Sequence, residues 1–445
     1  MVQELLGTAT LPPELEQMIA TRTDGNPLFV EELTRSLLES GDLVRTGEGY
    51  VFQKPLATLD LPTTVQGVLQ TRIDRLHEDL KAVLQMASVI GRVFSHPLLA
   101  HVLPQNLELD TVLLELADLE FVYVTSLAPQ REYSFKHVLT QEAVYQTLLR
   151  PKREEGHERI GKALETLYPD RLEEYYEVLA YHYVRSGNKD KAVEYLDLSN
   201  QKAAKANAME EAKRYFDDAM TLLDTLPETK ANNRRRISFL VNQVLVFRML
   251  FKFPEYHALL TRYEPMAVEL EDPGLLGAFY ARLGYCEFAF GYLDQAIQTN
   301  SKAAELCEAA GNAEGAAQAY MIWEWCDLWQ SDYDHVLTLQ EHVLRSTERQ
   351  FNLRWYTLAL FGASWAYSCL GRWDDAVEQG QKGLKAGEQF SDNSVICYGA
   401  YTISCAYTSK GDLARAVEYG ELGGCPGNKL SGLSAHRCRA GALRR

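Results

Sequence analysis

Gly291-Tyr292-Leu293-Asp294-Gln295-Ala296, Ser331-Asp332-Tyr333-Asp334-His335-Val336, Gly371-Arg372-Trp373-Asp374-Asp375-Ala376 and Gly411-Asp412-Leu413-Ala414-Arg415-Ala416 are four copies of one turn, forty residues apart. Five residues before each copy stands a small side chain: Cys286, Cys326, Ala366 and Ala406. Two residues after the first position comes a large apolar one (Leu293, Tyr333, Trp373, Leu413), and five after it a small or β-branched one (Ala296, Val336, Ala376, Ala416). Self-similarity at a step of about 20–50 residues predicts a solenoid. Small slots let two helix backbones approach, and glycine permits the tight turn between them. The fold this predicts is mostly α, an array of helical hairpins whose use is binding.

Composition agrees with a folded chain. Hydrophobic residues make up 46% and charged residues 24% of the 445 residues, a globular balance spread over several domains. No apolar run is long enough for a membrane span, and no secretory signal opens the chain. The net charge of −16 works against a broad nucleic-acid surface. All eight cysteines lie at or beyond Cys286, without CxxC or Cys/His ligand spacing. A reduced, cytoplasmic protein without a metal site is expected.

The array extends upstream, over 171–421. Ala180, Tyr183, Gly187 and Ala192 have the spacing of a tetratricopeptide repeat, and Ala208, Ala212, Phe216 and Ala219 continue it. A weaker unit surrounds Lys252–Ala258, with Pro254 opening its second helix. The region resembles the tetratricopeptide-like sensors of the maltose-regulator group and of cyclase-linked signalling ATPases. One hairpin cannot bury its own apolar stripe, so neighbours stack. Trp323, Trp325, Trp365 and Trp373 are expected in the core, the alternative being a ligand pocket. Trp329 stands outside the shared slots and is the candidate anchor for a protein or small-molecule partner. Arg234-Arg235-Arg236 opens a helix and is expected to reach solvent.

Near the N-terminus, Thr23-Asp24-Gly25-Asn26-Pro27-Leu28-Phe29-Val30-Glu31-Glu32-Leu33 places Phe29, Leu33 and Leu37 on one helical stripe. Gly41 stops the helix, and two short apolar runs around Gly47-Glu48-Gly49 predict a hairpin. This motif resembles the lid helix of STAND-class, AAA-like signalling ATPases, above all those linked to class III, soluble-type adenylyl cyclases. The resemblance implies that Gly25 and Pro27 lie against the adenine of a bound nucleotide. A proline at a helix start, where its missing N–H costs nothing, is the structural alternative. No Gly-x-x-x-x-Gly-Lys-Ser/Thr phosphate loop occurs in the sequence, so ATP and magnesium are implied only with an ATPase core upstream in cis. Residues 1–58 thus read as a lid remnant, and the chain as a fragment.

Residues 59–170 read as a winged helix and linker helix. One long helix is expected from Thr63, its cap, through Val65, Val68, Leu69, Ile73, Leu76, Leu80, Val83, Leu84 and Ala87. A second spans Leu109–Leu119, and strands follow at Phe121–Thr125 and Glu132–Phe135, with Pro129 in the turn between them. The family resemblance continues through Gln70-Thr71-Arg72-Ile73-Asp74-Arg75-Leu76 and Phe135-Lys136-His137. It implies that His137 contacts a bound diphosphate; the alternative is a partly exposed histidine opening a helix. Winged helices can bind DNA, but Glu108, Asp110, Glu115, Asp118 and Glu120 face no Lys or Arg in that segment, which argues against it. Arg150-Pro151-Lys152-Arg153, with His157 and Arg159, reads as a solvated helix start.

No catalytic motif is present. Glu31-Glu32 and Asp374-Asp375 are neighbours on helices and point about 100° apart, so they do not converge on a substrate. Residues 422–445 carry five basic residues and no acid, and read as an irregular basic tail, frameshifted or truncated. The expected function is a regulatory region that relays nucleotide state to a sensor array and has no catalytic site of its own. The alternatives are a ligand-sensing transcriptional regulator of the maltose-regulator type and a plain scaffold.

Overall fold

The computed structural model describes residues 1–7, 11–46, 49–55, 58–59, 61–105, 107–350 and 353–423, with 345–350 and 354 described by backbone alone. The expected basic tail from 424 onward, and Gly47 and Glu48 of the hairpin turn, lie outside the described residues. The protein is mostly helical, with short strands confined to its N-terminal part. Two compact units meet in sequence at Lys202 and Ala203.

The first unit opens with α1 (Val2–Leu6), α2 (Pro13–Thr23) and α3 (Pro27–Glu39). Leu15, Ile19, Phe29, Leu33 and Leu37 form their common core. The i, i+4, i+8 spacing on α3 therefore faces inward, as it should. An antiparallel hairpin of β1 (Leu43–Thr46) and β2 (Gly49–Phe52) pairs Leu43 with Phe52.

Then come α4 (Val65–Arg75), α5 (Glu78–Ile90), β3 (Val93–Ser95), α6 (His96–Val102), α7 (Leu109–Asp118), β4 (Val122–Ser126) and β5 (Glu132–Phe135). The three strands form an antiparallel sheet in the order β3-β5-β4. Helices followed by such a sheet make the winged-helix arrangement. The single helix expected from Thr63 to Ala87 is two helices. Leu76 and His77 are extended, with ψ of 144° and 151°, and the His77 imidazole accepts the Asp79 N–H to cap α5. The apolar period runs through this break, which contains neither glycine nor proline. The cap of α4 is Thr64, which accepts the Gly67 N–H at 3.1 Å, rather than Thr63. The unit ends with α8 (Val138–Thr147), α9 (Arg150–Leu167), a 3₁₀ turn (Pro169–Tyr175), α10 (Tyr176–Arg185) and α11 (Lys189–Lys205) up to Lys202. The Tyr183 and Tyr195 hydroxyls both donate to the Glu165 carboxylate, which ties α10 and α11 to α9.

The second unit is an α-solenoid of tetratricopeptide-like hairpins. It comprises α12 (Met209–Asp224), α13 (Lys230–Val241), α14 (Val244–Met249), α15 (Phe253–Glu269), α16 (Pro273–Phe290), α17 (Leu293–Ala309), α18 (Ala313–Gln330), α19 (Tyr333–Gln350), α20 (Leu353–Cys369), α21 (Trp373–Phe390), α22 (Asn393–Lys410) and α23 (Leu413–Gly423). Gly291, Ser331, Gly371 and Gly411 are left-handed, with φ of 81°, 65°, 74° and 87°. The next N–H reaches a carbonyl five residues back: Tyr292 to Glu287, Asp332 to Asp327, Arg372 to Tyr367, Asp412 to Tyr407. This bond closes a helix in the Schellman manner. Phe251, Glu271, Gly311 and Ser391 adopt the same positive φ, so the structural step is one helix of twenty residues. Asp272, Asn312, Asp332, Asp392 and Asp412 follow at once and cap the next helix, accepting N–H groups of Leu275, Gly315, His335, Val395 and Arg415.

The small slots Cys286, Cys326, Ala366 and Ala406 are fully buried, as close helix approach requires. Other expectations for the array fail. Trp365 and Trp373 are 45% and 39% exposed, and Leu413 is exposed too. At Trp373 and Leu413 the slot two residues past the turn sits at the rim, on the first turn of a helix, whereas Leu293 and Tyr333 in the same slot pack partly buried against the core. Arg236 is buried instead of reaching solvent, because its guanidinium donates to the carbonyls of Leu223 and Leu226 and to Asn233 Oδ1. Arg234 pairs with Asp272. Among the described residues, no helix is long and apolar enough to cross a membrane.

Candidate functional site

The lid-like motif builds the start of α3. Asp24 and Gly25 turn through positive φ, at 47° and 75°, the Asn26 side chain accepts the Phe29 N–H, and Pro27 takes the first helical position. Gly25, Asn26 and Pro27 are exposed, and a Cβ at Gly25 would meet nothing. Glycine is used there for its backbone conformation, not for space.

The two glutamates that follow face different neighbours. Glu32 is buried and pairs with Arg72 of α4, itself only 1% exposed. Arg72 Nε also donates to both oxygens of Glu39 at 3.0 and 2.9 Å, and its Nη2 to the Leu119 carbonyl at 2.8 Å. Its guanidinium lies 4.5 Å from the centre of the Phe121 ring. One side chain thus joins α3 and α4 to the end of α7 and the start of the wing. Sequence reasoning passed over Arg72. Its position, four residues after Val68 and three after Leu69 on an apolar stripe, was the available signal.

Glu31 looks the other way. It meets Lys136, Arg35 at 3.3 Å and His137, whose Nε2 stands 3.5 Å from Glu31 Oε2. Glu120 bridges Lys136 and Arg35 from the wing. Burial raises the Glu31 carboxyl, but the Lys136 hydrogen bond and charge, with Arg35 and His137, outweigh it and hold the group below its ordinary value. Since Glu31 lies one turn beyond Pro27, the fold brings His137 to the same helix as Gly25 and Pro27. His137 opens α8 and makes no capping bond, and its Nε2 is buried without a hydrogen-bond partner. The basic run on α9 is not a free patch: Arg150 pairs with Glu154 and Lys152 with Glu155, while Arg159 reaches the Val102 carbonyl. His157 is turned inward and is fully buried.

In the second unit Trp329 ends α18 and is 59% exposed. On the neighbouring helices Trp325 stacks on Phe361 at 6.0 Å and Phe361 on Tyr401 at 5.8 Å, with Trp365 edge-on to both Trp325 and Phe361. This row runs from α18 through α20 to α22. Among the described residues, no group of three or more His, Cys, Asp or Glu is placed to hold a metal ion.

Residues 1–45 match the family described as a domain of unknown function, DUF8739. An uncharacterised protein of Rhizobium meliloti (strain 1021) is 25% identical over 223 residues, 49% of this chain. The chain spans about a fifth of the length of that curated relative, 21%. Solved structures of similar topology include a signal transduction ATPase with numerous domains (STAND) carrying a tetratricopeptide repeat sensor, from Pyrococcus horikoshii. It is 12% identical, with a TM-score of 0.43 over 95% of this chain and 70% of that one. Aspartyl phosphate phosphatase F from Bacillus subtilis is 12% identical, with a TM-score of 0.45 over 94% of each chain. At these values neither transfers residue roles.

Proposed function

We propose that the chain is the regulatory, protein-interaction region of an ATP-dependent signalling protein. The start of α3 and His137 would face a nucleotide held mainly by an ATPase core in cis, and the tetratricopeptide-like array would take a protein or small inducer. The observation that carries this reading is the meeting of α3 and His137 at Glu31, where the imidazole Nε2 stands 3.5 Å from the carboxylate without making a hydrogen bond. A phosphate oxygen taking the place of the Glu31 carboxylate would accept that missing hydrogen bond. The chain's own residues would then orient adenine and one phosphate. Magnesium binding would need groups outside this chain, since it has no phosphate loop. Arg72, fixed to both α3 and the wing, gives nucleotide contacts a stiff route into the winged helix. The finer link to an adenylyl cyclase rests on the sequence resemblance alone.

The test is calorimetric titration of ATP and ADP into the protein extended by the upstream part of its gene. His137→Ala should weaken binding by about tenfold or more, the range of a hydrogen bond to a charged group. No nucleotide binding by the extended protein ends the reading. The DNA-binding alternative has no comparable support: α7 carries no Lys or Arg, Asp110 is engaged by Arg131, and Glu120 by Arg35 and Lys136. A gel-shift experiment with genomic fragments should show no retardation.

A further inference from the structure

Glu324 of α18 is completely buried, and neither carboxyl oxygen has a hydrogen-bond partner. Its place in the repeat shows how unusual it is. Forty and eighty residues on, the slot holds Ser364 and Ser404, whose hydroxyls donate to the carbonyls of Ala376 and Ala416 at 2.9 and 2.6 Å. The equivalent carbonyl for Glu324 belongs to Val336, and a neutral carboxyl, like a hydroxyl, has a proton to donate; a carboxylate has none. The space for the longer side chain comes from Gly362 of α20, where a Cβ would overlap Glu324 Oε1.

Among the described side chains, no cation pairs with the group. On α18 itself Asp327 is the charge that acts on Glu324, and its own carboxylate accepts a hydrogen bond from His335 Nδ1 of α19 at 2.8 Å. From α16 the buried acid is Glu287, which also has an oxygen without a partner. Lys302 of α17 is taken up over the Tyr280 ring, and the one charged residue of α20 is Arg354, eight residues before Gly362 and described by backbone alone. Burial, with the like charge of Asp327, pushes the Glu324 carboxyl well above the ordinary carboxylate range.

We propose that α18 and α20 form a proton-linked joint within the array: Glu324 sits as the neutral acid in the space left by Gly362, and its ionisation parts the two helices. Trp325, the residue after Glu324, and Phe361, the residue before Gly362, stack on each other, so parting the helices also breaks the aromatic row. The joint rests on the array's own geometry and does not depend on nucleotide binding.

Hydrogen exchange of the full chain, read on α18 and α20 peptides and corrected for intrinsic rates, tests this up to about pH 9, where buried glutamates are known to titrate. Because the closed form holds the proton, opening should grow tenfold per pH unit from the ordinary carboxylate value up to the raised one, then level off. Glu324→Gln, which cannot ionise, should abolish that slope. Gly362→Ala should raise exchange even at low pH by displacing the carboxyl. A flat profile in the unmodified protein overturns the proposal whether or not either variant folds; so does an unchanged slope in Glu324→Gln.

Discussion

His157 of α9 and His182 of α10 face each other through their Nδ1 atoms at 2.9 Å, both rings buried. Tyr145 meets the far nitrogen of His157 at 3.0 Å. One ring must donate and the other accept, so the accepting imidazole is neutral and two imidazolium rings would break the contact. Burial, and then the charge of Arg185, pushes His157 down to about 4; burial, His157 and Arg185 push His182 down to about 3.

The pair therefore makes stability fall in acid. Both folded values lie below the unfolded imidazole value, so the unfolded chain binds more protons. Stability is fully present above about pH 6.5 and is lost as pH falls through about 4 and then about 3. Urea midpoints of the first unit's transition should drop across this window. His182→Gln should flatten the drop; an equally steep acid limb in the variant would refute the assignment.

Arg72 yields a second expectation. Replacing it by Ala leaves Glu32 buried and unpaired, which costs about 3–5 kcal/mol. Arg72→Lys restores charge but not the fork that reaches Glu32, Glu39 and the Leu119 carbonyl together, so it should recover only part of the loss. Denaturant titration of the three proteins measures both numbers.

The turns supply a third. At Gly371, φ of 74° needs no Cβ, and Gly371→Ala should cost about 1–2 kcal/mol. Ser331 bears that strain already, with φ of 65°. Ser331→Gly should raise or leave unchanged the array's thermal midpoint, and a clear decrease would show that the serine contributes more than its backbone.

Thiol chemistry gives a fourth. Burial pushes Cys286 and Cys326 up to about 12 and Cys307 to about 11, whereas Cys369 lies exposed. An aromatic disulfide reagent should modify Cys369 in the native protein and spare the other three until denaturant is added, as peptide mass spectrometry would record.

What could be read beforehand was whatever recurs or marks a turn with a characteristic residue. Gly291, Gly371 and Gly411 revealed the repeat, and Asn26-Pro27 revealed a helix start. The twenty-residue step stayed hidden because Phe251, Glu271 and Ser391 occupy left-handed positions that glycine usually marks. The break at Leu76-His77 was invisible because its extended backbone holds neither glycine nor proline and the apolar period runs through it. Polar side chains in the interior were missed as a group: Arg72, Arg236, Glu324 and the His157–His182 pair all have residue types that polarity assigns to solvent. Their burial is decided by what the fold places around them: the Glu32 and Glu39 carboxylates for Arg72, the space at Gly362 for Glu324. For the candidate site, Gly25, Pro27 and His137 came from one motif resemblance, and the contact through Glu31 could be found only in three dimensions.

At each described junction from α15 to α23, a left-handed residue closes one helix and its immediate neighbour is the cap position of the next, leaving no loop between them. Such a chain has no slack. A single inserted residue at Gly371-Arg372 would rotate all downstream side chains by about a quarter of a turn or more relative to their seams. Between α15 and α23, length changes that keep the seams in register should therefore come as whole helices.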